Sequence, residues 1–95
     1  MSSSEIHNSA EAMRELAQQL QRFVDRVVEF DQGIAQELRR LGDTFRDDGY
    51  TTLCADFEQA QRQLRECESA IRGTVPELIK DAEAIESYLR ERIDP

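Results

Sequence analysis

The sequence predicts an all-α protein: an antiparallel helical hairpin that assembles into a four-helix bundle. Two observations carry this prediction. Apolar side chains recur at spacings of three and four residues in two long stretches, which is the period of amphipathic helices. A short segment bounded by Gly42 and Gly49 separates the stretches, a length suited to an antiparallel connection. With 95 residues, the chain can form one domain at most, residues 1–95.

Helix 1 is predicted over about residues 8–41. Asn8 or Ser9 can cap its amides, and Gly42 follows the last apolar residue, as is typical of helix ends. Residues 1–7 are expected to be flexible. The apolar stripe consists of Met13, Leu16, Leu20, Phe23, Val27, Phe30, Ile34, Leu38 and Leu41. Val24 and Val28 widen this stripe, which indicates that a further helix, from the same chain or another, packs against it. Val24 and Val28 are therefore candidate interface residues.

Helix 2 is predicted over about residues 48–93, with Asp47 or Asp48 as its cap. Its stripe consists of Tyr50, Leu53, Phe57, Ala60, Leu64, Cys67, Ile71, Val75, Leu78, Ala82, Ile85, Leu89 and Ile93. Close to Pro76 the spacing between successive apolar residues is one residue longer than a strict heptad allows, because two steps of four residues follow each other. Because proline removes a backbone hydrogen bond, two outcomes are open: a helix kinked near 73–76, or a third helix that begins near Thr74.

The last turns of helix 2 are expected to extend past helix 1, where the chain itself offers no cover. Tyr88, Leu89 and Ile93 are therefore predicted to contact a partner. They complete the set of candidate interface residues.

Composition excludes several classes of function. The chain has 20 acidic and 12 basic residues, for a net charge of -8, whereas nucleic-acid binding needs a basic surface. No apolar run approaches the roughly 18 residues of a membrane span. The first residues carry no basic and apolar leader, so the protein is expected in the cytoplasm, with export without a signal peptide as the alternative.

Catalysis and metal binding have few candidate residues. His7 is the single histidine, and Asp43, Asp47 and Asp48 do not follow the spacing of a calcium-binding loop. Neither an enzyme nor a cofactor or metal site is expected. Cys54 and Cys67 would lie about 20 Å apart on one helix, too far for a disulfide, and Cys67 is expected to be a small buried apolar residue.

The segment between the stripes carries a family resemblance. Leu38-x-x-Leu41-Gly42-Asp-Thr-Phe45-Arg46-Asp47-x-x-Tyr50-x-x-Leu53-x-x-x-Phe57 resembles the WXG-type small helical hairpins associated with type VII secretion. In this resemblance Phe45 stands at the Trp position and Asp47 at the Gly position, while Tyr50 and Phe57 match apolar positions of the second helix. The turn motif is thus Phe45, Asp47 and Tyr50. A large aromatic in the turn can close the hairpin end, so Phe45 is expected to be a structural plug.

The resemblance implies a non-enzymatic interaction protein. Such a protein would dimerise, or pair with a related helical protein, as an effector partner, adaptor or chaperone in a secretion- or toxin-linked system. A larger toxin is a further candidate partner. The alternative is a small acidic cytosolic immunity protein, because a charge of -8 suits a basic toxin surface.

Overall fold

Two long helices form an antiparallel hairpin, which confirms the predicted all-α helical hairpin. The computed structural model describes residues 2–93, and for Ile93 the backbone alone. Helix α1 spans Ser3–Thr44 and helix α2 spans Asp48–Ile93. They pack side by side as a rod of 73 × 17 × 16 Å.

Helix α1 begins earlier than predicted. Ser2 is its N-cap, and the Ser2 hydroxyl accepts a hydrogen bond from the Glu5 backbone N–H at 3.2 Å. Asn8 and Ser9, the two expected caps, lie inside the helix, and the Ser9 hydroxyl donates to the Glu5 carbonyl. Residues 3–7, which precede the predicted start of the helix, form its first turns. Ser2 followed three residues later by Glu5 is itself the order of a capping box.

The connection is shorter than the eight residues expected. Helix α1 continues to Thr44, and the Phe45 N–H donates to the Leu41 carbonyl at 2.8 Å, so only residues 45–47 join the helices. Asp47 caps α2: its carboxylate accepts the Tyr50 N–H at 2.8 Å and its carbonyl accepts the Thr51 N–H at 3.1 Å. Of the two candidate caps, Asp47 is the one used.

Helix α2 runs unbroken through Pro76. The predicted alternative of a third helix near Thr74 is wrong, because the Thr74 hydroxyl donates to the Ala70 carbonyl within the helix and caps nothing. A straight helix of this length would measure about 69 Å, close to the 73 Å length of the rod. Pro76 therefore does not fold the helix back on itself.

The contact line between the helices, here called the seam, follows a heptad spacing of four and three residues. On α1 the seam consists of Ala10, Arg14, Ala17, Gln21, Val24, Val28, Asp31, Ala35, Leu38 and Gly42. On α2 it consists of Tyr50, Cys54, Phe57, Gln61, Leu64, Glu68, Ile71, Val75, Leu78, Ala82, Ile85 and Leu89. Among the residues whose side chains the structure describes, the buried apolar ones are Ala10, Ala17, Val24, Ala82 and Leu89. Three of these five are alanines, so the core of the single hairpin is small.

The seam differs from the predicted stripes by one position over much of its length. On α2 it uses Cys54, Gln61 and Glu68, where the apolar pattern had suggested Leu53, Ala60 and Cys67. With the observed residues the spacing continues through Pro76 without interruption. The extra residue inferred there was a consequence of following the largest apolar side chains rather than those that face the other helix.

Candidate interaction surface

Tyr50 closes the connected end of the hairpin. Its ring lies against Gly42, and its hydroxyl donates to the Leu38 carbonyl at 3.0 Å. A Cβ on Gly42 would overlap the Tyr50 hydroxyl oxygen and stand 2.7 Å from Cζ, so the close contact requires glycine. The nearby Cys54 thiol and partial burial raise the pKa of Tyr50 above its ordinary value.

Phe45 does not act as the plug that was predicted. Its side chain is 55% exposed, because the backbone at this position is extended as the chain leaves α1. Arg46 stabilises the same end from the backbone side, donating its Nε to the Gly42 carbonyl at 2.7 Å. Tyr50, the third residue of the turn motif, thus performs the closing role assigned to Phe45. Gly42 and Tyr50 were both visible in the sequence, but their pairing depends on the helix phase.

Two polar pairs bridge the seam and fix its register. Arg14 donates to Glu86, with Nε–Oε1 at 3.1 Å and Nη2–Oε1 at 2.6 Å. This hydrogen bond lowers the pKa of Glu86, and the same bond raises that of Arg14. Near the middle of the rod, Gln61 Nε2 donates to Asp31 Oδ1 at 2.9 Å. Sliding either helix would separate both pairs.

The large apolar side chains lie outside the seam, on one side of the hairpin. This surface is here called the apolar face. On α1 it consists of Met13, Leu16, Leu20, Phe23, Val27, Phe30, Ile34 and Leu41, and on α2 of Leu53, Ala60 and Cys67. Phe30 is 73% exposed and Phe23 53%. Each of these residues stands one position before a seam residue. In an antiparallel pair of helices, such positions of the two helices lie on the same side of the seam, so the α1 and α2 residues form one surface.

A groove opens in the apolar face beside the connected end. Its volume is about 670 Å³, and Phe30, Gly33, Ile34 and Leu41 are among the residues that line it. Gly33 has no neighbouring atom within 4 Å of an added Cβ. Its lack of a side chain therefore leaves room between Phe30 and the next turn, where an apolar side chain of another molecule could insert.

The opposite side of α1 is polar. Five positions that directly follow a seam residue are here called the polar flank. They carry Glu11, Gln18, Asp25, Gln32 and Arg39, all exposed. The hairpin is thus amphipathic as a unit: one side presents large apolar groups to solvent and the other presents charged and amide groups. A one-sided surface of this kind is suited to docking a single further layer of helices.

The predicted interface residues divide into two groups. Val24 is fully buried and Leu89 is 7% exposed, both in the seam, and Val28 is half-buried there. Of the two alternatives left open for Val24 and Val28, the helix that packs on them here is α2 of the same chain, and Leu89 is covered by α1. Tyr88 is 52% exposed and accepts a hydrogen bond from Arg92 at 3.1 Å. The side chain of Ile93 lies outside the described residues.

The two cysteines are free, as expected, but their environments are reversed. Cys54 is half-buried in the seam, whereas Cys67 is exposed on the apolar face. The prediction that Cys67 is buried is wrong for the same reason as the stripe assignment: residue 68, not 67, faces α1.

Side chains that could ligate a metal ion are dispersed over residues 2–93. No cluster of three or more His, Cys, Asp or Glu side chains in this range could hold a metal ion. His7 lies 3.0 Å from the Glu11 carboxylate on the exposed surface of α1. Within the same range, neither helix has a stretch long and apolar enough to cross a membrane.

Comparison with known proteins identifies no relative. No protein-family model matches the chain, and no curated protein or solved structure is detectably similar to it.

Proposed function

We propose that this hairpin is a non-enzymatic interaction module that pairs its apolar face with another helical chain, either a second copy or a related protein. The observation on which the proposal chiefly rests is the apolar face itself. Phe23, Phe30 and Ile34 remain about half exposed or more, and burying one such side chain contributes up to about 1.5–3 kcal/mol.

The small intrachain core supports the same proposal. A chain of 95 residues has a limited capacity to bury apolar surface, and this one places mainly alanine and valine in its fully buried positions. Its largest apolar residues remain exposed and can contact another chain. Pairing two such hairpins through their apolar faces would complete a four-helix bundle.

The resemblance to WXG-type hairpins supplies the biological setting of the proposal. The chain would act as an effector partner, adaptor or chaperone in a secretion- or toxin-linked system, starting from the cytoplasm. The short connection, the Asp47 cap and the apolar seam positions Tyr50 and Phe57 are compatible with that setting. Phe45, exposed at the Trp position, would then be available to a partner.

The test compares two charge-changing double variants by light scattering. Phe23→Glu with Phe30→Glu places two charges on the apolar face, and Gln18→Glu with Gln32→Glu places the same two charges on the polar flank. We expect the wild type and the flank variant to pair, alone or with a related hairpin protein encoded beside it. The face variant should remain a single chain of unchanged helicity by circular dichroism.

A wild-type chain that stays a folded monomer, both alone and with that related protein, would contradict the proposal. Equal pairing by the two double variants would also contradict it, since the apolar face would then have no role.

A further inference from the structure

We infer that the apolar face receives one cationic amphipathic helix of a different protein, which lies along the hairpin with its apolar side against α1 and its Lys and Arg side chains toward α2. This inference rests on the proposed interaction function. It adds the chemistry of the partner.

The α1 half of the apolar face is a ridge of large side chains. Leu16, Phe23, Phe30 and Ile34 are each about half exposed or more, and the row from Met13 to Leu41 covers about 42 Å along the helix axis. An amphipathic helix can bury such a row by laying its own apolar side along it. A helix of about 28 residues would cover the whole ridge.

The α2 half of the same surface is low. The exposed positions of α2 from Leu53 to Tyr88 that directly precede a seam residue are here called the ledge. Because the distance between packed helices depends on the side chains at their contact, small residues let a further helix approach α2 closely. Four of the five positions in the middle of the ledge carry such residues: Ala60, Cys67, Ala70 and Thr74.

The charges of the ledge favour a basic partner. Its charged residues are exposed carboxylates: Asp56, Glu77 and Asp81. The arginines of the same stretch of α2 directly follow seam residues and therefore lie on the other side of the hairpin: Arg62, Arg65 and Arg72. A helix on the ledge would thus meet negative charge toward both ends and small side chains between, so Lys or Arg at its edge would be complementary.

The groove beside the connected end shows the same combination of apolar and acidic groups. Phe30 and Leu41 line it, and Glu29 and Glu37 line it as well. An apolar side chain of the partner can insert over Gly33, where no atom lies within 4 Å of an added Cβ. The groove therefore fits an apolar group that is flanked by positive charge.

A second copy of this chain lacks that positive charge. Each chain has a net charge of -8, and from Met13 to Tyr88 the positions that directly precede a seam residue carry neither Lys nor Arg. In either orientation, a second copy would offer the ledge carboxylates apolar or acidic neighbours, and Tyr88 adds a ring without a charge. Because unpaired carboxylates are costly to bury, a cationic helix is the better occupant.

The experiment measures the binding of two synthetic peptides to the full chain by calorimetry at low salt. Both peptides have about 28 residues and a stripe of Leu and Ala at helical spacing. One carries Lys beside the stripe, and the other carries Glu at the same positions. We expect the Lys peptide to bind about tenfold more tightly or better, since like charges would oppose the Glu peptide.

Two triple variants with the same net charge test the ledge. The first removes the ledge carboxylates: Asp56→Asn, Glu77→Gln and Asp81→Asn. The second changes exposed carboxylates that directly follow seam residues: Glu15→Gln, Asp25→Asn and Glu58→Gln. We expect the ledge variant to bind the Lys peptide about tenfold more weakly than the wild type, and the second variant to stay within about twofold of it.

A charge-adding pair separates docking from general attraction. Phe23→Glu with Phe30→Glu makes the chain more acidic, so nonspecific attraction of the Lys peptide would strengthen, whereas docking on the ridge should be lost. Gln18→Glu with Gln32→Glu adds the same charge on the polar flank and should keep the binding.

Alkylation of Cys67 locates the bound peptide. Cys67 is exposed on the ledge, so in a Cys54→Ser background its reaction with N-ethylmaleimide should slow in proportion to the bound fraction. Gln32→Cys in a cysteine-free background should react at an unchanged rate.

Tighter binding of the Lys peptide that requires the ledge carboxylates and the ridge supports the inference. Equal binding of the two peptides overturns the cationic partner, while the proposed function stands. Binding of the Lys peptide that survives Phe23→Glu with Phe30→Glu overturns the face as its site. A chain that binds neither peptide and is a dimer by light scattering overturns the inference in favour of a second copy. If it binds neither and is a monomer, the inference also fails, and the proposed function is decided by binding to a related hairpin protein.

Discussion

Tyr50 reaches back from the first turn of α2 and donates its hydroxyl to the Leu38 carbonyl at 3.0 Å. The ring crosses α1 at Gly42, where an added Cβ would overlap it. This contact joins the two helices at the point where the chain reverses direction. It also places the first seam residue of α2 beside the last seam residues of α1. This determines which side of each helix faces the other along the rest of the seam.

The hydroxyl of Tyr50 should contribute measurably to stability. Tyr50→Phe removes one hydrogen bond and keeps the ring, so we expect a loss of about 0.5–1.5 kcal/mol in urea unfolding. The Leu38 carbonyl would keep the hydrogen bond that it accepts from the helix backbone. It would therefore not be left without a donor, and the loss of stability should stay within that range. Unchanged stability would show that the bond to Leu38 is replaced by water without loss.

Gly42 and Tyr50 should be energetically coupled. Gly42→Ala displaces the Tyr50 ring and should lower stability in the wild-type chain. In a Tyr50→Ala background the same change meets no ring and should instead raise stability by about 1 kcal/mol, the usual helix-propensity difference. Urea unfolding of the four proteins of this cycle measures the coupling. Additive effects would mean that the ring does not pack on Gly42.

Phe45 should matter little to the folded hairpin. Because the side chain is 55% exposed, Phe45→Ala should change the free energy of unfolding by no more than about 0.5 kcal/mol. The measurement is made on the monomeric Phe23→Glu, Phe30→Glu background, which removes any contribution of pairing. A loss of several times that amount would restore Phe45 to the closing role that its sequence position suggested.

The sequence predicted the hairpin because heptad spacing and a glycine-bounded connection are local signals. It did not identify the seam, since the large apolar residues and the helix-facing residues follow the same spacing one position apart. Choosing between Cys67 and Glu68, or between Phe23 and Val24, requires knowing which face meets the other helix. The usual preference for burying the larger apolar group gave the wrong choice in both cases, because this chain presents those groups to the outside.

The Arg14–Glu86 pair should make stability dependent on pH in the acid range. The hydrogen bond from Arg14 lowers the pKa of Glu86, so below neutrality the unfolded state binds the proton first. The contribution is therefore complete above the unfolded pKa of Glu86 and is lost as the pH falls through its folded pKa. Urea midpoints measured from about pH 6 down to about pH 3 should fall more steeply for the wild type than for Glu86→Gln.

Glu66→Gln is the control for that comparison, because Glu66 is exposed on the same helix. It should follow the wild-type slope. If Glu86→Gln also followed it, the pair would have no net role in stability, as is common for ion pairs that remain partly exposed.

Pro76 should destabilise the helix that contains it. It lies inside α2 on an exposed position, so Pro76→Ala restores the amide that can bond to the Arg72 carbonyl and removes no buried contact. We expect stability to rise by up to about 3 kcal/mol, the difference between proline and alanine in a helix interior. Gly73→Ala, also exposed and free of neighbours, provides a matched control with an expected gain of about 1 kcal/mol. A decrease for Pro76→Ala, with the gain for Gly73→Ala retained, would show that a local bend at Pro76 is needed for Leu78, Ala82 and Leu89 to keep their places in the seam.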